Sequence, residues 1–119
     1  MLARREAREA GADEALMLNT HGELAGGAAA NLFWVKADRL YTPHLDCGVL
    51  AGTVRARVIA AAAEAGEPVR AVRAAPAVLR QVDGMFLANS LIGLRPVAMF
   101  DGRAVRAWDG LAALAAAVS

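Results

Sequence analysis

A fold mixing strands and helices, of the α/β (α+β) class, is predicted for this chain by three observations. Short apolar runs rich in Val, Leu, Phe and Trp are separated by turn residues. The run Leu40–Ala56, LYTPHLDCGVLAGTVRA, passes from a strand through a loop into a glycine-opened helix. Hydrophobic residues make up 57% of the 119 positions, enough for one modest core.

Taken in order, Arg4–Ala10 is charged and alanine-rich and reads as a helical segment without a start signal. Glu14–Asn19 reads as a strand and Thr20–Glu23 as a turn. Ala28–Lys36 and Arg39–Thr42 read as the two strands of a hairpin joined at Ala37-Asp38. The helix from about Gly52 runs through Ala65 and stops at Gly66, whose freedom to take positive φ suits a C-cap, while Pro68 blocks continuation. Val69–Arg73 is then a short strand, and Pro76 opens a short helix through Val82. Met85–Ala88 reads as a buried strand, Leu94–Phe100 as another that leads into a turn at Asp101-Gly102, and Leu111–Val118 as a closing helix. No repeat or linker divides the chain, so residues 1–119 are expected to form a single domain.

Composition narrows the function classes. The 13 basic and 12 acidic residues nearly balance and the basic ones form no stripe, which argues against nucleic acid or an anionic membrane as partner. The N-terminal MLARREAREAGADE is charged where a signal peptide would be apolar, and Val58–Ala63 is far shorter than the ~20 apolar residues a membrane span needs. The single Cys47 excludes an internal disulfide and fits a reducing, cytoplasmic setting. His21 and His44 lie in loops without other ligand types nearby, so no metal site is expected.

Chemistry concentrates where the helix opens. The backbone N–H groups of Gly52, Thr53 and Val54 would form a first turn without intrahelical partners and with the positive end of the helix dipole behind them, which suits a phosphate group. The same pattern also serves as an ordinary helix start.

Three segments belong together: Asp13–Lys36 (DEALMLNTHGELAGGAAANLFWVK), the loop just described, and Asp83–Arg103 (DGMFLANSLIGLRPVAMFDGR). In order and spacing they resemble the C-terminal half of the fold-type IV pyridoxal-phosphate enzymes, the class IV aminotransferase family. Within it, NLFW, LYTP-LDCGVL and NSLIG-RPV look most like the aminodeoxychorismate lyases, more than the branched-chain or D-amino-acid aminotransferases. The resemblance implies a mixed sheet or barrel-like arrangement of strands with flanking helices, pyridoxal phosphate as cofactor, a small-molecule substrate and a homodimeric parent. For a lyase it implies conversion of 4-amino-4-deoxychorismate to 4-aminobenzoate and pyruvate, in folate biosynthesis.

Residue by residue, the resemblance places Asn31, Leu50, Gly52, Thr53, Val54, Asn89, Ser90 and Leu91 at cofactor-binding positions. Gly52-Thr53-Val54-Arg55 resembles the family's Gly-Ile-Thr-Arg helix start, with the threonine hydroxyl displaced by one position. Asn89-Ser90-Leu91 resembles a second phosphate loop, although a polar turn after a strand explains it equally. Asn31 either buttresses the cofactor-facing strand or is a buried Asn satisfied by backbone groups. Arg95 either meets a substrate carboxylate or is a surface residue. Two departures matter. Gly26 stands where the family has the Glu that partners the pyridine nitrogen, in Gly26-Gly27-Ala28-Ala29-Ala30-Asn31, and glycine has no side chain to accept that bond. The family's Schiff-base lysine lies upstream of a segment resembling Leu2–Leu16, at a position preceding Met1, so the resemblance implies that the lysine-bearing N-terminal portion is absent. The only lysine, Lys36, ends a strand beside a turn and reads as a solvated hairpin residue. No residue is therefore assigned a catalytic role, and the chain alone is expected to be inactive or a non-catalytic remnant that binds phosphate or dimerises.

Overall fold

Hydrophobic residues on both sides of a strand call for cover on both sides of its sheet, and the centre of this fold is built on that demand. A computed structural model describes residues 4–6, 16–18, 22–27, 30–44, 53–89, 93–97, 99–100, 103–106 and 108–118. Its strands are β1 (Arg4–Glu6), β2 (Leu16–Leu18), β3 (Leu24–Gly27), β4 (Asn31–Lys36), β5 (Arg39–Pro43), β6 (Val69–Val72), β7 (Gly84–Asn89), β8 (Gly93–Pro96), β9 (Met99–Phe100) and β10 (Arg103–Ala104). Two α-helices, α1 (Thr53–Glu64) and α2 (Leu111–Val118), and a 3-10 helix over Pro76–Gln81 complete it.

The main sheet has five strands in the order β6-β5-β4-β7-β8. All pairs are antiparallel except β5 and β6, which are parallel, with Leu40 opposite Val69 and Pro43 opposite Val72. The sheet is mixed and open, so of the two arrangements expected the mixed sheet is the one found, and a closed barrel is not formed among the described residues. Along β4, Leu32 and Trp34 join one core cluster while Phe33 and Val35 join the other, as side-chain alternation requires. Neighbouring β7 repeats the division, with Met85 and Leu87 on the first face and Phe86 and Ala88 on the second. Phe33 and Phe86 stack across the two strands at 5.0 Å. The 3-10 helix covers the first face through Leu79.

The second face is covered by α1 and α2. Helix α1 buries Val54, Val58 and Ala62, spaced by four, and α2 buries Leu114 and Val118. Helix α1 is the crossover of a βαβ unit, because parallel strands cannot be joined by a tight turn. It ends in a Schellman motif: Glu67 N–H donates to Ala62 O, Gly66 N–H donates to Ala63 O, and Gly66 takes φ +86°. The expected C-cap is therefore in place.

Several expectations need correction. Residues 4–6 of the expected N-terminal helix form a strand instead, with Arg4 opposite Leu18 and Glu6 opposite Leu16, while residues 7–10 lie outside the described residues. The β3 strand was not expected, because two of its four residues are glycines that strand propensity disfavours. Pairing with β2 and a bond from Leu24 N–H to Ala74 O hold it extended. The single strand expected over Leu94–Phe100 divides into β8 and β9, which pair with β7 and β10 respectively. The imide of Pro96 cannot donate a ladder bond, which favours a break there.

Candidate functional site at the end of the main sheet

The topology brings the expected binding residues that are described, Asn31, Thr53, Val54 and Asn89, to one end of the main sheet. Asn31 opens β4 and lies opposite Ala88, one residue before Asn89 closes β7. Pro43 closes β5 at this same end, since Tyr41 pairs with Trp34 and the strands run antiparallel. Helix α1 returns from β5 toward the start of β6, so its first turn also sits here. The contact that fixes this is a bond from Arg55 Nη2 to Pro43 O at 3.2 Å. Parallel strands of a βαβ unit place ligands in this position, beyond the carboxyl end of the strand and at the helix N-terminus.

Individual side chains have different duties. Val54 is 7% exposed with its isopropyl group in the core, so only its backbone can face an anion. Thr53 is the first residue of α1. Asn31 is buried, 2% exposed, and both it and Asn89 are engaged in polar contacts. By strand alternation Asn31 lies on the helix-covered face with Phe33, and Asn89 on the other face with Leu87. These two share an end of the sheet but not a face. Thr42 Oγ1 donates to Leu32 O at 2.7 Å from a fully buried position, which locks β5 to β4 beside the site. Leu50, Gly52, Ser90 and Leu91 lie outside the described residues, as do Asp46 and Cys47.

Arg55 is the residue that motif reading passed over. It is 7% exposed, sits in the first turn of a helix that has no acidic residue there, and its Nε has no hydrogen-bond partner among the described residues. Burial pushes its guanidinium below the ordinary arginine value. A cation at a helix N-terminus opposes the dipole, and that misplacement was the available signal.

Lys36 is at the opposite end of β4. Five residues of strand, at about 3.3 Å each, separate it from Asn31 by roughly 16 Å. It is exposed and its Nζ donates to Gln81 O at 2.6 Å, as a hairpin lysine does. Near it a cavity of about 420 Å³ is lined by Trp34, Tyr41, Arg73 and Gln81, away from the α1 start. Glu23, the carboxylate nearest Gly26 in sequence, faces Arg73 at 3.3 Å. Gly26 itself lies in β3 opposite Met17 and offers no acceptor side chain. The described residues thus fit a phosphate group, through the first-turn N–H groups, which have no partner inside the helix, and a guanidinium donor unsatisfied among the described residues, but among them neither an amine nor a ring-nitrogen partner stands at that position.

Residues 1–100 match the family described as amino-transferase class IV. The chain belongs to the class IV aminotransferase family. It is 34% identical over 107 residues to the branched-chain-amino-acid aminotransferase of Pseudomonas aeruginosa, a match covering 90% of this chain and 34% of that protein. It is 32% identical over 96 residues to the aminodeoxychorismate lyase of Bacillus subtilis, covering 81% of this chain and 33% of the lyase. Among solved structures, the branched-chain aminotransferase from the thermophilic archaeon Thermoproteus uzoniensis, determined with norvaline, superposes with a TM-score of 0.85 at 30% identity, covering 89% of this chain and 36% of that one. The chain spans about a third of the length of the curated class IV relatives it matches. Among the described residues, no helix is long and apolar enough to cross a membrane.

Proposed function

We propose that the chain is the phosphate-anchoring C-terminal part of a pyridoxal-phosphate protein of the aminodeoxychorismate lyase type. The reaction of the whole would release pyruvate from 4-amino-4-deoxychorismate and leave 4-aminobenzoate, a small-molecule step of folate biosynthesis in a cytoplasmic homodimer. The observation that supports the phosphate-anchoring part of the reading is the closure of the α1 start onto the end of β5 through Arg55 and Pro43, at the sheet end shared by Asn31 and Asn89, while the choice of a lyase rests on the resemblance of NLFW, LYTP-LDCGVL and NSLIG-RPV. Pyridoxal phosphate, when bound, supplies an electron sink for the reacting carbon. This chain's own part is to bind and orient. First-turn N–H groups of α1 hold the phosphate, Asn31 and Thr42 stiffen the strand ends beside it, and the clusters on both faces of the sheet exclude water from its base.

Branched-chain aminotransfer is the second reading, and the 34% identity to the Pseudomonas aeruginosa enzyme favours it. Under either reading the chain by itself binds cofactor without turnover, since its only lysine is far from the phosphate end. Calorimetric titration with pyridoxal phosphate and with pyridoxal tests the anchoring role. Pyridoxal phosphate is expected to bind at least about tenfold more tightly, because a single hydrogen bond to a charged group contributes about 1.5–3 kcal/mol. Equal affinities, or no binding of either, would remove the phosphate site.

A further inference from the structure

A buried arginine with an idle donor is an unfinished arrangement. Helix side chains lean toward the N-terminus, so a residue in the first turn projects its head past the helix start. Arg55 does this, reaching back to Pro43 O with Nη2 while its Nε stays buried and unsatisfied among the described residues. Its charge has been taken out of water and set at the positive end of a helix whose first turn carries no acidic side chain. Two sources of positive potential therefore coincide: the guanidinium and the helix N-terminus, whose dipole acts through the first-turn N–H groups. An opposite charge brought to this place would offset the cost of burying the guanidinium.

We propose that Arg55 is the built-in counter-charge of the anion site, and that its buried donor is completed by an oxygen of a bound phosphate group. The inference rests on the phosphate-site reading above and deepens it, because it makes a side chain, and not the helix backbone alone, responsible for binding. Two consequences separate it from a structural role. Without phosphate, the cost of the buried charge offsets what its bond to Pro43 O contributes, so replacing Arg55 by an apolar residue of similar length leaves stability little changed. With phosphate, the same replacement costs affinity.

The experiment compares the 119-residue chain with Arg55→Met and Arg55→Lys by thermal unfolding and calorimetry, using inorganic phosphate and pyridoxal phosphate as probes. The parent chain is expected to rise in Tm as either probe is added. Arg55→Met is expected to unfold at nearly the same temperature without probe and to bind both probes about 10- to 100-fold more weakly. Arg55→Lys keeps the charge, loses the fork of donors and should fall between the two. If Arg55→Met binds within about threefold of the parent, the anion site stands and the role given to Arg55 is overturned. If Arg55→Met unfolds at a clearly lower temperature without probe, or does not fold, arginine is a structural requirement and the inference is overturned likewise. If the parent binds neither probe, the phosphate reading itself fails.

Discussion

The substitution Gly84→Ala tests how the second face of the sheet is closed. Gly84 opens β7 opposite Val35 and is buried. A Cβ added there would lie 2.7 Å from Trp108 Cβ and 3.6 Å from Trp108 Cα, against ordinary carbon contacts of about 3.5–4.0 Å. The segment carrying Trp108 must therefore move by roughly 1 Å. That segment is held in place, because the Trp108 ring stacks on Phe86 and Trp108 O accepts a bond from Leu111 N–H at the start of α2. Overpacking of this kind costs about 1–3 kcal/mol, and the entropy removed from the unfolded chain returns only about 0.4–1 kcal/mol. The clash wins, with a net loss of about 1–2 kcal/mol. At about 2.1 cal/mol/K per residue, unfolding the 119 residues carries an entropy near 0.25 kcal/mol/K, so the loss lowers Tm by about 4–8 °C.

A second glycine supplies the control. A Cβ on Gly110 would meet the Trp108 ring itself, at 2.5–2.9 Å, so Gly110→Ala should also destabilise. In a Trp108→Ala background the two must part company. Alanine keeps the Cβ that Gly84→Ala strikes but removes the ring that Gly110→Ala strikes. The Gly84→Ala penalty should persist and the Gly110→Ala penalty should disappear, both read by circular dichroism in thermal melts. A neutral Gly84→Ala, or its rescue by Trp108→Ala, would refute the contact as the reason glycine stands there.

Other perturbations follow from the same packing and turns. Ala37 holds φ +53° in the β4–β5 turn, where Asn is the easier residue, so Ala37→Asn should raise stability by about 0.5–1 kcal/mol in urea unfolding, and a loss would speak against turn strain. Thr42→Val removes the buried donor to Leu32 O and should cost about 1–2 kcal/mol in the same assay, whereas a neutral result would mean that Leu32 O is satisfied otherwise. Lyase and transaminase assays on the purified chain should show no turnover, and cofactor-dependent turnover lost in Lys36→Ala would make that hairpin lysine catalytic.

The parts of the fold legible in the sequence are those whose period or punctuation is strong. Strand β4 and strand β7 are apolar runs, the α1 stop is written as Gly66 before Pro68, and the helix Leu111–Val118 has no breaker in it. The parallel pairing of β5 with β6 was not legible. It depends on where the crossover helix lands, and local periodicity carries no information about that. Strand β1 misled because Arg, Glu and Ala favour a helix in isolation, while pairing with Leu16–Leu18 overrides a propensity worth only tenths of a kcal/mol per residue.

For the site, the family resemblance named Asn31, Thr53, Val54 and Asn89, and only the structure shows that they share one end of the main sheet, yet the residue with the most unusual environment among those described was Arg55. Motifs name residue types and cannot weigh burial, so an arginine at the end of Gly52-Thr53-Val54-Arg55 reads as a surface cation until its surroundings are known. Electrostatics then fixes its meaning. Burial lowers its pKa, and a cation whose folded pKa lies below its unfolded value costs stability at every pH beneath the folded one. For an arginine that span covers the whole working range, so no change of pH within it relieves the penalty. An anion can, by giving the charge a partner where it stands, and stability that rises with phosphate but not with pH is the behaviour this helix start should show.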